Sequence, residues 1–191
     1  MNKTIFYFHG FMSSAESSKA QTFKKFIKDN FPDTKLIIPN IADKFSEAVP
    51  QLNKLVSEDL SEGKSFMGSS LGGFFATYFA ELYRQKAIVI NPAINPSEGL
   101  KEYIGVNENY SNGSKFELTN KDIEKLKEIE ISRIKNPSNY LLLSESGDEV
   151  LNYIDAISFY NGGYIDVKFG GNHSYASFSE KLGTIKNFLN L

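Results

Sequence analysis

Cysteine and tryptophan are absent from this chain, and histidine occurs only at positions 9 and 173. Without cysteine there can be no disulfide framework, thiolate metal site or cysteine nucleophile. With two histidines, a zinc site would depend on several carboxylate ligands, an uncommon donor set, so none is expected. An excess of one charge is lacking too: 21 Lys plus Arg face 23 Asp plus Glu, a net charge of -2. Such a chain has no electrostatic pull toward nucleic acid or an anionic membrane. Its basic Lys24-Lys25 pair sits among helix formers and reads as a solvated face. No apolar run approaches the ~20 residues of a membrane span. The opening run Ile5-Phe6-Tyr7-Phe8 is too short for a signal peptide and has no small-residue cleavage site after it, so a cytoplasmic protein is expected.

What is present suits one substantial core. The 191 residues are 41% hydrophobic and include 16 Phe and 10 Tyr, the size and composition of a single domain over 1–191. Short apolar runs at Ile5–Phe8, Leu36–Ile38, Ser65–Met67, Ala87–Ile90, Tyr140–Leu143 and Ile165–Phe169 read as strands. Most are apolar throughout, as strands covered on both faces are. Between them lie helical patterns at Lys19–Asp29, Ser46–Glu62, Leu71–Arg84, Thr119–Ile131, Val150–Tyr160 and Ser179–Leu189. This alternation predicts an α/β fold, about six mostly parallel strands with helices on both faces. Residues 91–137 are too many for a single crossover and read as a cap-like insertion. Within it, Asn107–Gly113 is polar and turn-rich.

The strongest local signal is Gly68-Ser69-Ser70-Leu71-Gly72-Gly73, a G-x-S-x-G pattern between a strand and a helix. Small residues at Gly68 and Gly72 let strand and helix close around Ser70, leaving its hydroxyl exposed at a helix N-terminus. A serine nucleophile needs a base. His173 follows the last strand in Gly170-Gly171-Asn172-His173, at a strand's carboxyl end where catalytic groups collect. The base needs an acid, and Ser144-Glu145-Ser146-Gly147-Asp148-Glu149 follows the strand before it. Asp148 is preferred. Glu145 can still belong to the strand and Glu149 to the next helix, and both stay as rivals. Backbone N–H groups of Leu71 and Phe11 are the expected oxyanion donors, with Gly10 allowing the turn that presents Phe11. His9 is then a structural histidine bonded to nearby backbone.

Several stretches together resemble the small bacterial YqiA/YcfP-like esterases. They are Tyr7-Phe8-His9-Gly10-Phe11, the Ser70 motif, Asn91-Pro92-Ala93, Asn107-Glu108-Asn109, Gly147-Asp148-Glu149-Val150-Leu151 and Gly170-Gly171-Asn172-His173. Tyr110 departs from the pattern, standing where proline is expected. The resemblance implies a compact α/β-hydrolase, with Ser70, Asp148 and His173 as nucleophile, acid and base. It implies hydrolysis of small-molecule acyl esters, extending to acyl thioesters, without metal or cofactor. An acyl-CoA thioesterase and a non-catalytic hydrolase-fold binding protein are the alternatives. Specificity is expected in the 91–137 insertion, with Tyr103 and Phe116 as substrate-binding candidates.

Overall fold

The computed structural model describes residues 3–191. In chain order its elements begin with β1 (Lys3–Phe8), α1 (Ser18–Asn30), β2 (Lys35–Ile37), α2 (Phe45–Glu58), β3 (Gly63–Ser69), α3 (Leu71–Tyr83) and β4 (Lys86–Ile90). There follow α4 (Pro96–Gly99), β5 (Gly105–Glu108), β6 (Lys115–Leu118), α5 (Asn120–Glu128), β7 (Tyr140–Glu145), α6 (Tyr153–Phe159), β8 (Tyr164–Lys168) and α7 (Leu182–Leu189). Six strands pair in the order β2-β1-β3-β4-β7-β8, every neighbour parallel. This is the expected α/β sheet. Parallel pairing sends all its strands' carboxyl ends to one edge, so the loops after β1, β3, β7 and β8 converge there. No helix among the described residues is long and apolar enough to cross a membrane.

Alternate residues of each strand point to opposite faces, and both faces of the central strands are buried. On one face Phe6, Phe8, Phe66, Val89 and Leu142 meet α2 and α3. On the other, Ile5, Tyr7, Met67, Ile88 and Leu141 meet α1 and α7. Phe66 is the hub of the first layer, its ring 5.7 Å from those of both Phe6 and Phe79. The edge strand β8 departs from this pattern. Tyr164 and Ile165 are exposed, and Phe169, expected to end the strand, lies beyond it in solvent.

Side chains that take backbone N–H groups explain a second departure. The helix expected over Val150–Tyr160 starts only at Tyr153, because the Asp148 carboxylate accepts from the Val150 and Leu151 N–H groups at 2.9 and 2.8 Å. Asn152 then caps the shortened helix through the Ile154 N–H. The insertion is more ordered than its polar composition suggested. β5 and β6 form an antiparallel ribbon, and Phe116 and Leu118 turn inward from it. Asp122 joins the ribbon's helix to the main layer: it closes a capping box with Thr119 and accepts from the Ser46 N–H in the first turn of α2.

At the amino ends of the strands, buried Asp59 accepts from Thr4 (3.2 Å), Lys35 (2.9 Å) and Ser61, binding the start of β1 to its neighbours. Burial alone would raise its pKa, but the Ser61 and Lys35 bonds together hold it down at about 2. A carboxylate depressed this way stabilises the fold above its unfolded value near 4, and the contribution disappears as pH falls through about 2. Asp59→Asn should therefore flatten the loss of stability between about pH 4 and pH 2, measured as denaturation midpoints against pH. Phe66→Ala, which empties the aromatic hub, should cost about 3–5 kcal/mol in denaturant unfolding.

Candidate active site

β3 ends at Ser69 and α3 begins at Leu71, so the chain must reverse at Ser70, which sits at φ 56°, ψ -123°. A non-glycine residue there is strained, and the surroundings hold it. Its N–H donates to the Ile90 carbonyl at 2.9 Å, and its own carbonyl accepts from Gly73 and Ala93. A Cβ on Gly68 would stand 2.0 Å from the Gly72 carbonyl oxygen, and one on Gly72 would stand 2.0 Å from that of Phe8. Any side chain at either position forces the elbow open. The loop after β1 also presses on this turn, since a Cβ on Gly10 would lie 3.4 Å from Ser70 Cβ.

The three residues expected to act together do meet. His173 Nε2 lies 3.1 Å from Ser70 Oγ, and its Nδ1 lies 2.8 and 2.9 Å from the two Asp148 oxygens. An ionised carboxylate only accepts, so Nδ1 carries the proton and Nε2 is left to accept from the serine hydroxyl. Burial by itself would raise the Asp148 pKa, but bonds from His173, Leu151 and Val150 outweigh it and hold the carboxyl below its ordinary value. The imidazole keeps 23% of its surface exposed while the Asp148 side chain keeps 2%. The ring is open to its surroundings, and its carboxylate partner is shielded.

Glu145 and Glu149 bond to the loop that carries His173 rather than to its ring. Buried Glu145 accepts from the Asn172 N–H at 2.8 Å and from the Ser177 N–H and hydroxyl. Burial pushes its pKa up, but the Ser177 and Asn172 bonds bring it below the ordinary value. Glu149 accepts from the His173 N–H at 3.0 Å. Asn91, also buried, donates to the carbonyls of Asn172 and His173 and accepts from the Glu145 N–H. In the sequence, Asn91 appears only as part of Asn91-Pro92-Ala93, with no sign of this clamp. His9 is bonded to backbone on both sides: Nδ1 to the Gly10 carbonyl and Nε2 from the Ile41 N–H. Burial lowers its pKa.

Beside Ser70 the backbone N–H groups of Phe11 and Leu71 have no acceptor among the described residues. A cleft of about 320 Å³ opens next to them, lined by Phe11, Leu71, Ile94, Leu100 and Tyr103, with His173 at its rim. Tyr103 reaches this cleft and meets the Phe11 ring edge-on at 5.4 Å. Phe116 does not line it. That side chain is buried behind Phe11, the rings 6.0 Å apart, because the inward face of β6 points into the core. A larger hollow of about 720 Å³, at the amino ends of β1 and β2, is lined by charges of both signs, including Lys35 and Asp59. Among the described residues no three metal-ligating side chains come together.

Solved structures share this architecture. Alpha/beta hydrolase domain-containing protein 10 from mouse is 18% identical with a TM-score of 0.72, over 98% of this chain and 89% of its own. Est1E from Butyrivibrio proteoclasticus is 14% identical with a TM-score of 0.72, over 99% and 87%. The esterase domain of a Rhodothermus marinus protein is 13% identical with a TM-score of 0.66, over 96% and 85%. At these identities the likeness establishes the α/β-hydrolase fold. Sequence similarity covers nearly the whole chain: residues 4–190 match the uncharacterised protein family UPF0227, the YqiA/YcfP family, and this protein belongs to it.

Proposed function

We propose that this protein is a serine hydrolase that cleaves carboxylic acyl esters through a covalent acyl-enzyme. The observation that carries the reading is the His173 ring bridging Asp148 and Ser70 Oγ with both nitrogens at hydrogen-bond distance. As Ser70 Oγ bonds to the ester carbon, its proton passes to His173 Nε2 and the carbonyl oxygen takes the electron pair. The free N–H groups of Leu71 and Phe11 receive that oxyanion. The intermediate collapses by expelling the alkoxide, which leaves with the proton from Nε2. Water then gives a proton to Nε2 and its oxygen to the acyl carbon, and Oγ departs with the proton. The net reaction is ester plus water to acid plus alcohol. Asp148 keeps Nδ1 protonated and stabilises the imidazolium throughout.

In this reading Glu145, Glu149 and Asn91 are positioning residues. They fix the loop that aims His173 and take no proton.

Ser70→Ala should lower kcat by about four to six orders of magnitude and abolish labelling by a fluorophosphonate probe. Wild-type protein that the probe leaves unlabelled would instead be a binding protein of hydrolase fold. Asp148→Asn, which favours the wrong imidazole tautomer, should cost on the order of 10⁴ in kcat. Glu145→Gln sets an amide nitrogen against an N–H donor and should cost about 1–3 kcal/mol of loop order. It should read as protease sensitivity near residues 170–177 with a loss of kcat well short of that in Asp148→Asn. Equal losses in the two variants would make Glu145 the acid.

A further inference from the structure

Ser70 and His173 stand between two cavities, and Phe11 is the other residue that both share. The apolar cleft described above is one. The second, about 170 Å³, opens on the α1 side and differs in chemistry: Ser13, Ser17, Lys19 and Ser174 line it, with Tyr7 and His9. The Lys19 ammonium donates to the Ser174 carbonyl at 2.7 Å, which engages one of its three protons. Among the described residues, the hydroxyls of Ser13 and Ser17 make no hydrogen bond, and the wholly buried phenolic oxygen of Tyr7 has no partner. Burial draws the Lys19 pKa down, with Glu145 and Asp148 pulling the other way, as befits an ammonium short of hydration. The nearby carboxylates are already occupied: Asp148 by His173, Glu145 by the Asn172 and Ser177 groups.

A tetrahedral intermediate on Ser70 with its oxyanion at Leu71 and Phe11 has two further substituents, the acyl chain and the departing alcohol, and there are two cavities. The cleft lined by Ile94, Leu100 and Tyr103 offers an apolar chain desolvation, and its charged lining residue, Glu102, is a carboxylate rather than a cation. The α1-side cavity offers a cation and free hydroxyls at the imidazole that must protonate the leaving alkoxide. We propose that the α1-side cavity is the leaving-group subsite and that Lys19 selects esters whose short alcohol carries an anionic group, a carboxylate or a phosphate. This rests on the hydrolase reading above. In acylation the carbon–alkoxide bond breaks, the alkoxide takes the proton from His173 Nε2, and its anionic substituent stays on Lys19 until the alcohol leaves.

The test compares butyryl esters of glycolate and glycolamide, butyryl glycerol phosphate, and monoethyl succinate, whose charge lies on the acyl side. p-Nitrophenyl butyrate is run on the same preparations. Wild-type protein should favour the glycolate and phosphate esters over the glycolamide ester about tenfold in kcat/KM, the scale of one charge-assisted hydrogen bond. Lys19→Gln should abolish that preference through KM, Lys19→Glu should reverse it, and Lys19→Arg should retain it. Preference for monoethyl succinate would put the acyl group in this cavity and overturn the assignment. An equal fall on every ester in Lys19→Gln would make Lys19 only a support for the Ser174 backbone, and would also overturn it. Cleavage of p-nitrophenyl butyrate without charge preference refutes the subsite alone. Absence of both cleavage and phosphonate labelling refutes the hydrolase reading and the subsite with it.

Discussion

Three backbones are packed so closely at Gly68, Gly72 and Phe8 that no Cβ fits between them. The rest of the site follows from that contact. With β3 and α3 drawn together at Gly68 and Gly72, the residue between them is driven to positive φ, and Ser70 is that residue. Because Gly72 also abuts the Phe8 carbonyl, the end of β1 is held against the same turn, and its loop delivers Gly10 and Phe11 beside the hydroxyl. Strain at Ser70 is sustained by the buried aromatic layer beneath it, where Phe8, Phe66 and Phe79 hold β1, β3 and α3 in place.

The second half of the site is built by different means. The loop carrying His173 has left the sheet, and polar groups anchor it together with the buried ring of Tyr175. Glu145 and Asn91 take its N–H and carbonyl groups, and each sits at or just past the end of a central strand. Burying a carboxylate is costly unless its oxygens are well supplied with donors. Glu145 has three, from the Asn172 N–H and the Ser177 N–H and hydroxyl, and against its burial they hold its pKa below the ordinary value. The arrangement ties the loop to the rigid middle of the sheet while leaving the imidazole itself partly exposed. Because β7 and β8 are parallel, their carboxyl ends lie side by side, and the end of one can hold the loop that follows the other.

These two kinds of construction explain what could be read from the sequence. Apolar runs disclosed all six sheet strands, and the glycines around Ser70 disclosed the elbow, because each rests on a local pattern. Glu145 and Glu149 were legible as carboxylates near the right place, but their work depends on a loop beyond a later strand, so they looked like competitors of Asp148. The β5–β6 ribbon is not legible in the sequence because each strand has four residues, too few for alternation to show between Asn and Gly turns. For the same reason Tyr103 and Phe116 looked equivalent. Only the inward turn of β6 sends Phe116 behind Phe11 while Tyr103 reaches the cleft. The late start of α6 has another cause: Asp148 takes the N–H groups that a helix would otherwise begin with.

The contrast between the two cavities follows from the layers on either side of the sheet. On the α2 and α3 side the aromatic layer continues past the strand ends, so Phe11 and Leu71 extend the core into the cleft. Asn109, buried against the Asp43 carboxylate and the Ser13 carbonyl, fastens the ribbon tip to the loops after β2 and β1. On the α1 side the inward-facing ring of β1 is Tyr7, and beyond it the chain enters α1 through Ser17, Ser18 and Lys19. A helix start leaves N–H groups without intrahelical partners, and small hydroxyl residues favour such positions. Part of the polarity there thus comes from where α1 begins, and Ser13 and Ser174 add to it from the loops after β1 and β8. A substrate spanning Ser70 would meet the continuation of an aromatic core on one side and the start of a helix on the other. An ester joining an apolar acid to a charged alcohol matches both without burying an unpaired charge, whereas the reversed ester would place its charge against Phe11 and Tyr103.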